Sequence, residues 1–224
     1  MLKPMSFRWS LVIPVKTLVA AKTRLAAATG PHRTALAVAV ASDTLSAALI
    51  CPAVARVIVV TADPAAAGPL AALGAVVVPD PDRGLNTALR AGAAHAVRLA
   101  PGDGIGALQA DLPALRAAEL ARVLEAAADF DQSFVADAQE VGTTFYGVRP
   151  GVPFAPRFGG ESKAKHLAGG AKELSLDGID SVRRDVDTPD DLRAALALGL
   201  GPHTAEVAEL LGLSPASGQA ASDR

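Results

Sequence analysis

Three cationic side chains, Lys16, Lys22 and Arg24, stand close together near the start of the chain. They follow a short apolar run, residues 11–15, which predicts a buried strand. Cations in a loop between a strand and a helix can bind phosphate groups, helped by the free amides of the helix N-terminus. A solvated basic loop is the simpler alternative, and the glycine pattern of a Walker loop is absent here. By itself the loop indicates phosphate binding without requiring it.

Two aspartates stand at the ends of later strand-like segments. Asp111 follows the apolar residues 105–110, and Asp187 is the last acidic residue before a Thr-Pro turn. Carboxylate oxygens at such positions are natural ligands for Mg²⁺. Asp185 lies two positions before Asp187, so in an extended strand both side chains face the same way. An N-cap for the following helix is the alternative interpretation of Asp111.

The elements that must position these groups alternate between strand-like and helix-like segments. Predicted strands cover residues 11–15, 56–61, 75–78 and 105–110, and predicted helices cover residues 32–49, 63–74, 86–99 and 115–128. This alternation predicts an α/β fold with a mainly parallel sheet, in which ligands bind outside the carboxyl ends of the strands. Two further runs, residues 133–137 and 143–148, are joined by a short acidic turn and predict an antiparallel hairpin insertion.

The last third of the chain is less regular. It predicts a loop leading into a short helix within residues 157–170, a strand over residues 182–186 and a helix over residues 189–198. Thr188 is expected to cap that last helix with Pro189 at its first position, and Asp190 and Asp191 to compensate its dipole. We expect one domain over residues 1–213, followed by a disordered tail of small polar residues, 214–224.

Composition excludes several classes of protein. The chain has 224 residues, half of them hydrophobic, which is enough to bury the core of a single domain. A net charge of −2 and an aromatic content of 4% give neither the basic field nor the stacking surface of a nucleic-acid-binding protein. The single cysteine, Cys51, excludes an internal disulfide. The apolar run near the N-terminus is too short and too interrupted for a signal peptide or membrane span, so a cytoplasmic location is expected.

Taken together and in this order, these segments resemble those of nucleotidyltransferases. The cationic loop, the Asp-Leu-Pro turn at Asp111 and the Asp-Thr-Pro-Asp-Asp-Leu turn at Asp187 all have counterparts there. A Pro-Val-Lys loop with Ala-Lys-Thr-Arg-Leu replaces the usual glycine-rich first loop. This feature is similar to the guanylyltransferases of deazaflavin coenzyme F-420 biosynthesis. The segments at residues 82–89, 142–144 and 158–162 match that family as well, so the resemblance spans about residues 11–198.

The resemblance implies a single-domain Rossmann-like nucleotidyltransferase fold. It also implies GMP transfer from GTP to a small phosphoacid, with phosphoenolpyruvate as the expected acceptor and pyrophosphate as the leaving group. The residues carried over are Lys16, Lys22 and Arg24 as catalytic and GTP-binding, Asn86 as GTP-binding, Asp111 and Asp187 as Mg²⁺ ligands, and Thr144, Gly159 and Ser162 as phosphoenolpyruvate-binding.

The residues of the proposed acceptor loop suit an anion. Gly159 lets the backbone approach a ligand closely, and Ser162 offers a hydroxyl, although a helix cap is the alternative for Ser162. Lys163, Lys165 and His166 add positive charge nearby, and a solvated face is the simpler interpretation of the two lysines.

Asn86 also carries two interpretations. It stands where a predicted helix begins, so it could be the N-cap of that helix, a contact to the nucleotide, or both.

These residues are compatible with more than one reaction. An acceptor phosphate is already ionised at neutral pH, so the reaction needs in-line positioning and charge neutralisation rather than a general base. 2-Phospho-L-lactate or 3-phosphoglycerate could be the acceptor. The chain could also be a molybdenum-cofactor nucleotidyltransferase or a non-catalytic module that binds a nucleotide or phosphoacid. No nucleic-acid or membrane partner is expected, and a homodimer is left open.

Overall fold

A seven-stranded sheet forms the centre of the computed structural model, which describes residues 6–15 and 30–213. The strands are β1 (Trp9–Pro14), β2 (Val54–Thr61), β3 (Val76–Pro79), β4 (Gly104–Leu108), β5 (Gln132–Ala136), β6 (Thr143–Val148) and β7 (Lys172–Glu173). The helices are α1 (Arg33–Leu49), α2 (Pro64–Ala72), α3 (Leu85–Leu99), α4 (Ala117–Ala127), α5 (Ser162–Ala168), α6 (Asp180–Arg183), α7 (Pro189–Leu198) and α8 (Pro202–Leu210). A 3₁₀ turn, Gly30–His32, precedes α1.

The strand order is β3-β2-β1-β4-β6-β5-β7. Neighbouring strands are parallel, except that β6 runs antiparallel to both β4 and β5. The predicted α/β fold, with a mainly parallel sheet and an antiparallel hairpin, is therefore confirmed. Because β6 lies between β4 and β5 and runs antiparallel to both, its first residues lie at the edge where β4 and β5 end.

The two faces of the sheet bury separate apolar cores. In β1 the side chains of Leu11 and Ile13 join the core beneath α1 and α4, and the intervening Val12 joins the core beneath α3. This alternation is the two-residue period of a strand that is covered on both faces. Helix α3 packs so closely that a Cβ at Gly92 would lie 2.4 Å from a methyl of Val12.

One predicted element was wrong. Residues 182–186 were expected to form a strand, but the chain forms the single turn α6 and then continues outside any strand. Ser181 explains the difference, because its backbone N–H and its hydroxyl both donate to Glu119 on α4, at 2.9 and 2.8 Å. This distant carboxylate satisfies the amide at the start of the turn and favours helix there.

Helix α8 was missed by the sequence analysis. Its N-terminus is held by Asp43 of α1, whose carboxylate accepts from the backbone N–H groups of His203 at 3.1 Å and Thr204 at 2.7 Å. Pro202 at the first helical position was the only local signal. None of the helices in the described part of the chain combines the length and apolar character needed to cross a bilayer. Residues 214–224, the expected tail, lie outside the described residues.

Candidate active site

The turn that carries Asp111 is fixed by a buried threonine of α1. The hydroxyl of Thr44 accepts from the backbone N–H of Leu112 at 3.0 Å, and its single proton is shared between the carbonyl oxygens of Val40 at 2.9 Å and Ala110 at 3.2 Å. The N-cap interpretation of Asp111 was wrong, because the next helix is α4 and Arg116 is its N-cap. The carboxylate at this strand end therefore has no capping role in α4.

Asp187 is held beside this turn by its own neighbours. The backbone N–H of Val186 donates to the carbonyl oxygen of Asp111 at 3.0 Å, which ties the two segments together. One carboxylate oxygen of Asp191 accepts from the backbone N–H groups of Asp187 at 3.2 Å and Thr188 at 2.9 Å. Asp191 and Thr188 also form a capping box at the start of α7. The predicted capping by Thr188 is confirmed, and Asp191, only 7% exposed, additionally positions Asp187.

Four carboxylates gather at this edge of the sheet. Burial, together with the negative charges of Asp111, Asp137 and Asp187, raises the pKa of Asp185 to about 7. Asp137 was not predicted, although it follows the apolar end of β5 as Asp111 follows that of β4. Such an excess of negative charge is what a divalent cation would neutralise.

The donor set fits a hard cation. Carboxylate oxygens suit Mg²⁺ or Mn²⁺, and Mg²⁺ is commonly held by one or two carboxylates with water and substrate phosphates completing the shell. Within residues 6–15 and 30–213, no three His, Cys, Asp or Glu side chains form a ready-made metal-binding group.

The predicted phosphate loop cannot be placed. Lys16, Lys22 and Arg24 lie outside the described residues, so their roles stay predictions. The strand that leads into them ends beside β2, where the backbone N–H of Val15 donates to the carbonyl oxygen of Val60 at 2.9 Å.

Thr144 lies next to the Asp111 turn because it continues the pairing of β6 with β4, in which Leu108 pairs with Phe145. A bulge in β6 leaves it without a partner in β5. Val135 pairs with Phe145, but Ala136 pairs with Thr143, which leaves Thr144 as the extra residue. The carbonyl oxygen of Thr144 accepts from the backbone N–H of Gln109 at 2.9 Å. Its hydroxyl is buried and has no hydrogen-bond partner in the part of the chain that the structure describes.

The acceptor loop, residues 158–162, lies against the start of β6, where Ser162 contacts Thr143, the neighbour of Thr144. Ser162 is the first residue of α5 and Glu161 is the N-cap, so the cap interpretation of Ser162 was wrong. The buried Ser162 hydroxyl instead lies 3.1 Å from that of Thr143. Gly159 has φ +98°, and a Cβ built there would meet nothing within 4 Å. The backbone of Gly159 therefore faces open space, as a ligand-binding glycine requires.

Asn86 is engaged with this loop. Its amide nitrogen donates to the carbonyl oxygen of Phe158, and its amide oxygen accepts from the backbone N–H of the same residue, both at 2.9 Å. The N-cap interpretation was wrong, because helix α3 begins at Leu85 with Gly84 as its N-cap. Asn86 thus joins the start of α3 to the segment that carries Gly159, and its contact with GTP stays a prediction.

The three basic residues of α5 differ in their environments. Lys163 forms ion pairs with Glu140 and Glu173, and Lys165 donates to the carbonyl oxygen of Gly159 at 2.6 Å. His166 is buried, and that burial lowers its pKa to about 4. The expectation that His166 adds positive charge was therefore wrong, since its imidazole is neutral at pH 7.

The comparisons with known proteins agree with this geometry. A family model described as "Guanylyl transferase CofC like" matches residues 9–224. The chain is 72% identical over 201 residues to a phosphoenolpyruvate guanylyltransferase of Streptosporangium roseum, covering 90% of each chain. It is 57% identical over 206 residues to the enzyme of the same name from Streptomyces coelicolor, covering 91% of this chain and 97% of that one.

Two solved structures show the same fold at low sequence identity. One is a nucleotide-diphospho-sugar transferase from Desulfovibrio desulfuricans, with a TM-score of 0.68, 17% identity and coverage of 92% of this chain and 96% of that one. The other is Rv0371c from Mycobacterium tuberculosis in complex with manganese, with a TM-score of 0.52, 22% identity and coverage of 85% and 98%.

Proposed function

The chain belongs to the CofC-like guanylyl transferase family, and from that premise we propose that it transfers GMP from GTP to phosphoenolpyruvate with release of pyrophosphate. The observation that carries this proposal is the hydrogen bond between Gln109 and Thr144. Because Gln109 lies two positions before Asp111, this bond brings Thr144, a predicted acceptor residue, close to a predicted metal ligand. A phosphoacid bound there would lie beside the acidic cluster of Asp111, Asp137, Asp185 and Asp187.

We assign the divalent ion to Mg²⁺, with Asp111 and Asp187 as its protein ligands. The pKa of Asp185 is raised mainly by burial and further by the charges of Asp111, Asp137 and Asp187, and this second contribution supports the assignment because it shows that the carboxylates lie close together. The manganese complex of Rv0371c is a further support for a divalent ion in this fold. When bound, such an ion neutralises phosphate charge during phosphoryl transfer.

The acceptor side is assigned to Thr144, Gly159 and Ser162. The buried Thr144 hydroxyl has no partner among the described residues, and an anion would supply a hydrogen-bond acceptor. Gly159 offers backbone that no side chain covers. The names of the relatives at 72% and 57% identity favour phosphoenolpyruvate over the other phosphoacids.

The chemistry requires alignment rather than proton removal. An ionised phosphate oxygen of the acceptor attacks the α-phosphorus of GTP, a new P–O bond forms, and the bond to the bridging oxygen breaks to release pyrophosphate. We assign Lys16, Lys22 and Arg24 to the triphosphate, where cations stabilise charge on the departing pyrophosphate.

Pyrophosphate release tests the proposal directly. The purified protein is assayed with GTP, ATP or CTP, with Mg²⁺, and with phosphoenolpyruvate, 2-phospho-L-lactate or 3-phosphoglycerate. We expect release with GTP and phosphoenolpyruvate, and a product whose mass equals both substrates less pyrophosphate. Preference for another acceptor would overturn the substrate assignment. Nucleotide binding without turnover for any acceptor would favour the non-catalytic module.

A further inference from the structure

His166 occupies an aromatic cage beneath the acceptor loop. It is 1% exposed and stacks against the cross-strand pair Tyr146 and Phe134, with ring centroids 4.7 and 5.6 Å away. Phe158 approaches edge-on at 5.2 Å. Such a cage disfavours an imidazolium, because the charge would lose its hydration.

The contacts of the ring determine which nitrogen carries its single proton. The backbone N–H of Arg157 donates to Nε2 of His166 at 3.0 Å. A backbone amide can only donate, so Nε2 must be unprotonated. A neutral imidazole has one N–H, and the proton is therefore on Nδ1.

This tautomer determines the direction of the next hydrogen bonds. Nδ1 lies 3.0 Å from the hydroxyl oxygen of Thr143 and donates to it, and the backbone carbonyl of Ser162 is a second acceptor for the ring. The Thr143 oxygen lies in turn 3.1 Å from that of Ser162, and either hydroxyl can donate across this contact when nothing else is bound. Once an anion accepts the proton of Ser162, Thr143 must supply the donor, so every bond runs from His166 towards the ligand.

We propose that His166 is a positioning residue for the acceptor site: its Nδ1–H tautomer orients Thr143 so that the Ser162 hydroxyl donates to the anionic acceptor. Its other nitrogen fixes the backbone of Arg157, two residues before Gly159. One buried ring thus holds both the hydroxyl and the loop that face the phosphoacid. This inference rests on the proposed function for the identity of the anion.

The tautomer can be measured without any substrate. Nitrogen-15 NMR of the histidine rings distinguishes the two neutral tautomers, and His166→Phe identifies the resonances of this ring among the four histidines. We expect a protonated Nδ1 and an unprotonated Nε2 at pH 7. A protonated Nε2 would overturn the proposal, whether or not the protein transfers GMP.

Steady-state kinetics then separates positioning from packing. His166→Phe keeps a stacking ring but loses both hydrogen bonds, and Thr143→Val removes the intermediate hydroxyl at nearly constant volume. Each should raise KM for phosphoenolpyruvate about tenfold, which is typical of a lost hydrogen bond to a charged group, while KM for GTP stays within about twofold. Thr143→Ser restores the hydroxyl and should restore KM.

Tyr146→Phe is the matched control. It keeps the stacking partner of His166 and removes only the tyrosine hydroxyl, which donates to Gln132 at 3.0 Å and also contacts the backbone of Ala155, neither of which belongs to the His166–Thr143–Ser162 set. Its KM for phosphoenolpyruvate should equal that of the wild type. Equal KM values for wild type, His166→Phe and Thr143→Val would overturn the proposal, whereas an inactive wild type would contradict the proposed function and leave the NMR result to decide the tautomer.

Discussion

The acidic half and the acceptor half of the candidate site differ in their electrostatics. At the ends of β4 and β5, Asp111, Asp137, Asp185 and Asp187 bring like charges together, and the pKa of Asp185 rises to about 7. On the acceptor side, the buried neutral ring of His166 is hydrogen-bonded to the hydroxyl of Thr143 and to the backbone N–H of Arg157. The acidic half carries charge that a cation would compensate, whereas the acceptor half is already ordered by its own neutral contacts. Substitutions in the two halves should therefore have different signatures.

The largest effect is expected in the acidic half. Asp111→Asn and Asp187→Asn each remove a charge where we place Mg²⁺, so kcat should fall by roughly a hundredfold or more. Thermal stability should hold or increase, because each change relieves repulsion between carboxylates. Turnover and melting temperature measured on the same preparations test both statements, with Asp185→Asn as the comparison expected to lose less activity. Near-normal turnover in either variant would remove that residue from the metal site.

A comparable loss is expected in the phosphate loop. Lys22→Ala and Arg24→Ala each delete one cation that we assign to the triphosphate, and a single such contact is worth roughly a hundredfold in rate. The kinetic constants for GTP should suffer more than those for phosphoenolpyruvate. Unchanged GTP affinity and rate in both variants would favour the solvated basic loop.

A smaller and more selective effect is expected at Gly159. A valine there would project into the open space that we assign to the acceptor, so KM for phosphoenolpyruvate should rise on the order of tenfold while GTP binding is retained. Gly151→Val is the matched control, since Gly151 also has a positive φ and open space but lies beyond the far end of β6. Both variants should lose similar stability, about 1–2 kcal/mol from the left-handed backbone. Equal acceptor kinetics for the two would show that Gly159 does not face the phosphoacid.

The smallest effect concerns acid stability. The pKa of His166 is about 4 in the folded protein, below its ordinary value of 6.5, so the unfolded chain takes up the proton first. This ring therefore contributes nothing to the pH dependence above pH 6.5, and it lowers stability as the pH falls from 6.5 towards 4. The slope is at most about 1.4 kcal/mol per pH unit. Asp185, with its raised pKa, changes stability in the opposite direction over this range. On going from pH 7 to pH 5, urea unfolding should therefore show wild type losing more stability, or gaining less, than His166→Phe, and identical changes would mean that this histidine does not titrate as described.

Local sequence patterns predicted most of the architecture. The apolar runs and the helix signals between them placed β1 to β6, and Thr188-Pro189 marked the start of α7. These features depend on residues within a few positions of one another, so they can be recognised along the chain. The position of Asp111 could be predicted in the same way, because the carboxyl ends of parallel strands share one edge. Asp187 lies beside it although the strand predicted before it does not form, because the backbone N–H of Val186 donates to the carbonyl oxygen of Asp111.

Three of the failures involve partners that are distant in sequence. Residues 182–186 have the sequence pattern of a strand, but the hydrogen bond from Ser181 to the carboxylate of Glu119 favours a helical turn. Helix α8 depends on Asp43, some 160 positions earlier. In the site, Asn86 stands where a helix cap is expected from the sequence, but its amide is hydrogen-bonded to the backbone of Phe158.

The sequence by itself determined the α/β fold, the family and the chemical types of the site residues, since apolar periodicity and motif order are properties of the chain. Only the tertiary structure decided how those residues are used. Asp185 holds a proton more tightly because other carboxylates and burial surround it, and His166 stays neutral because aromatic rings replace its water. Protonation and hydrogen-bond direction depend on neighbours through space, and no spacing along the chain specifies them.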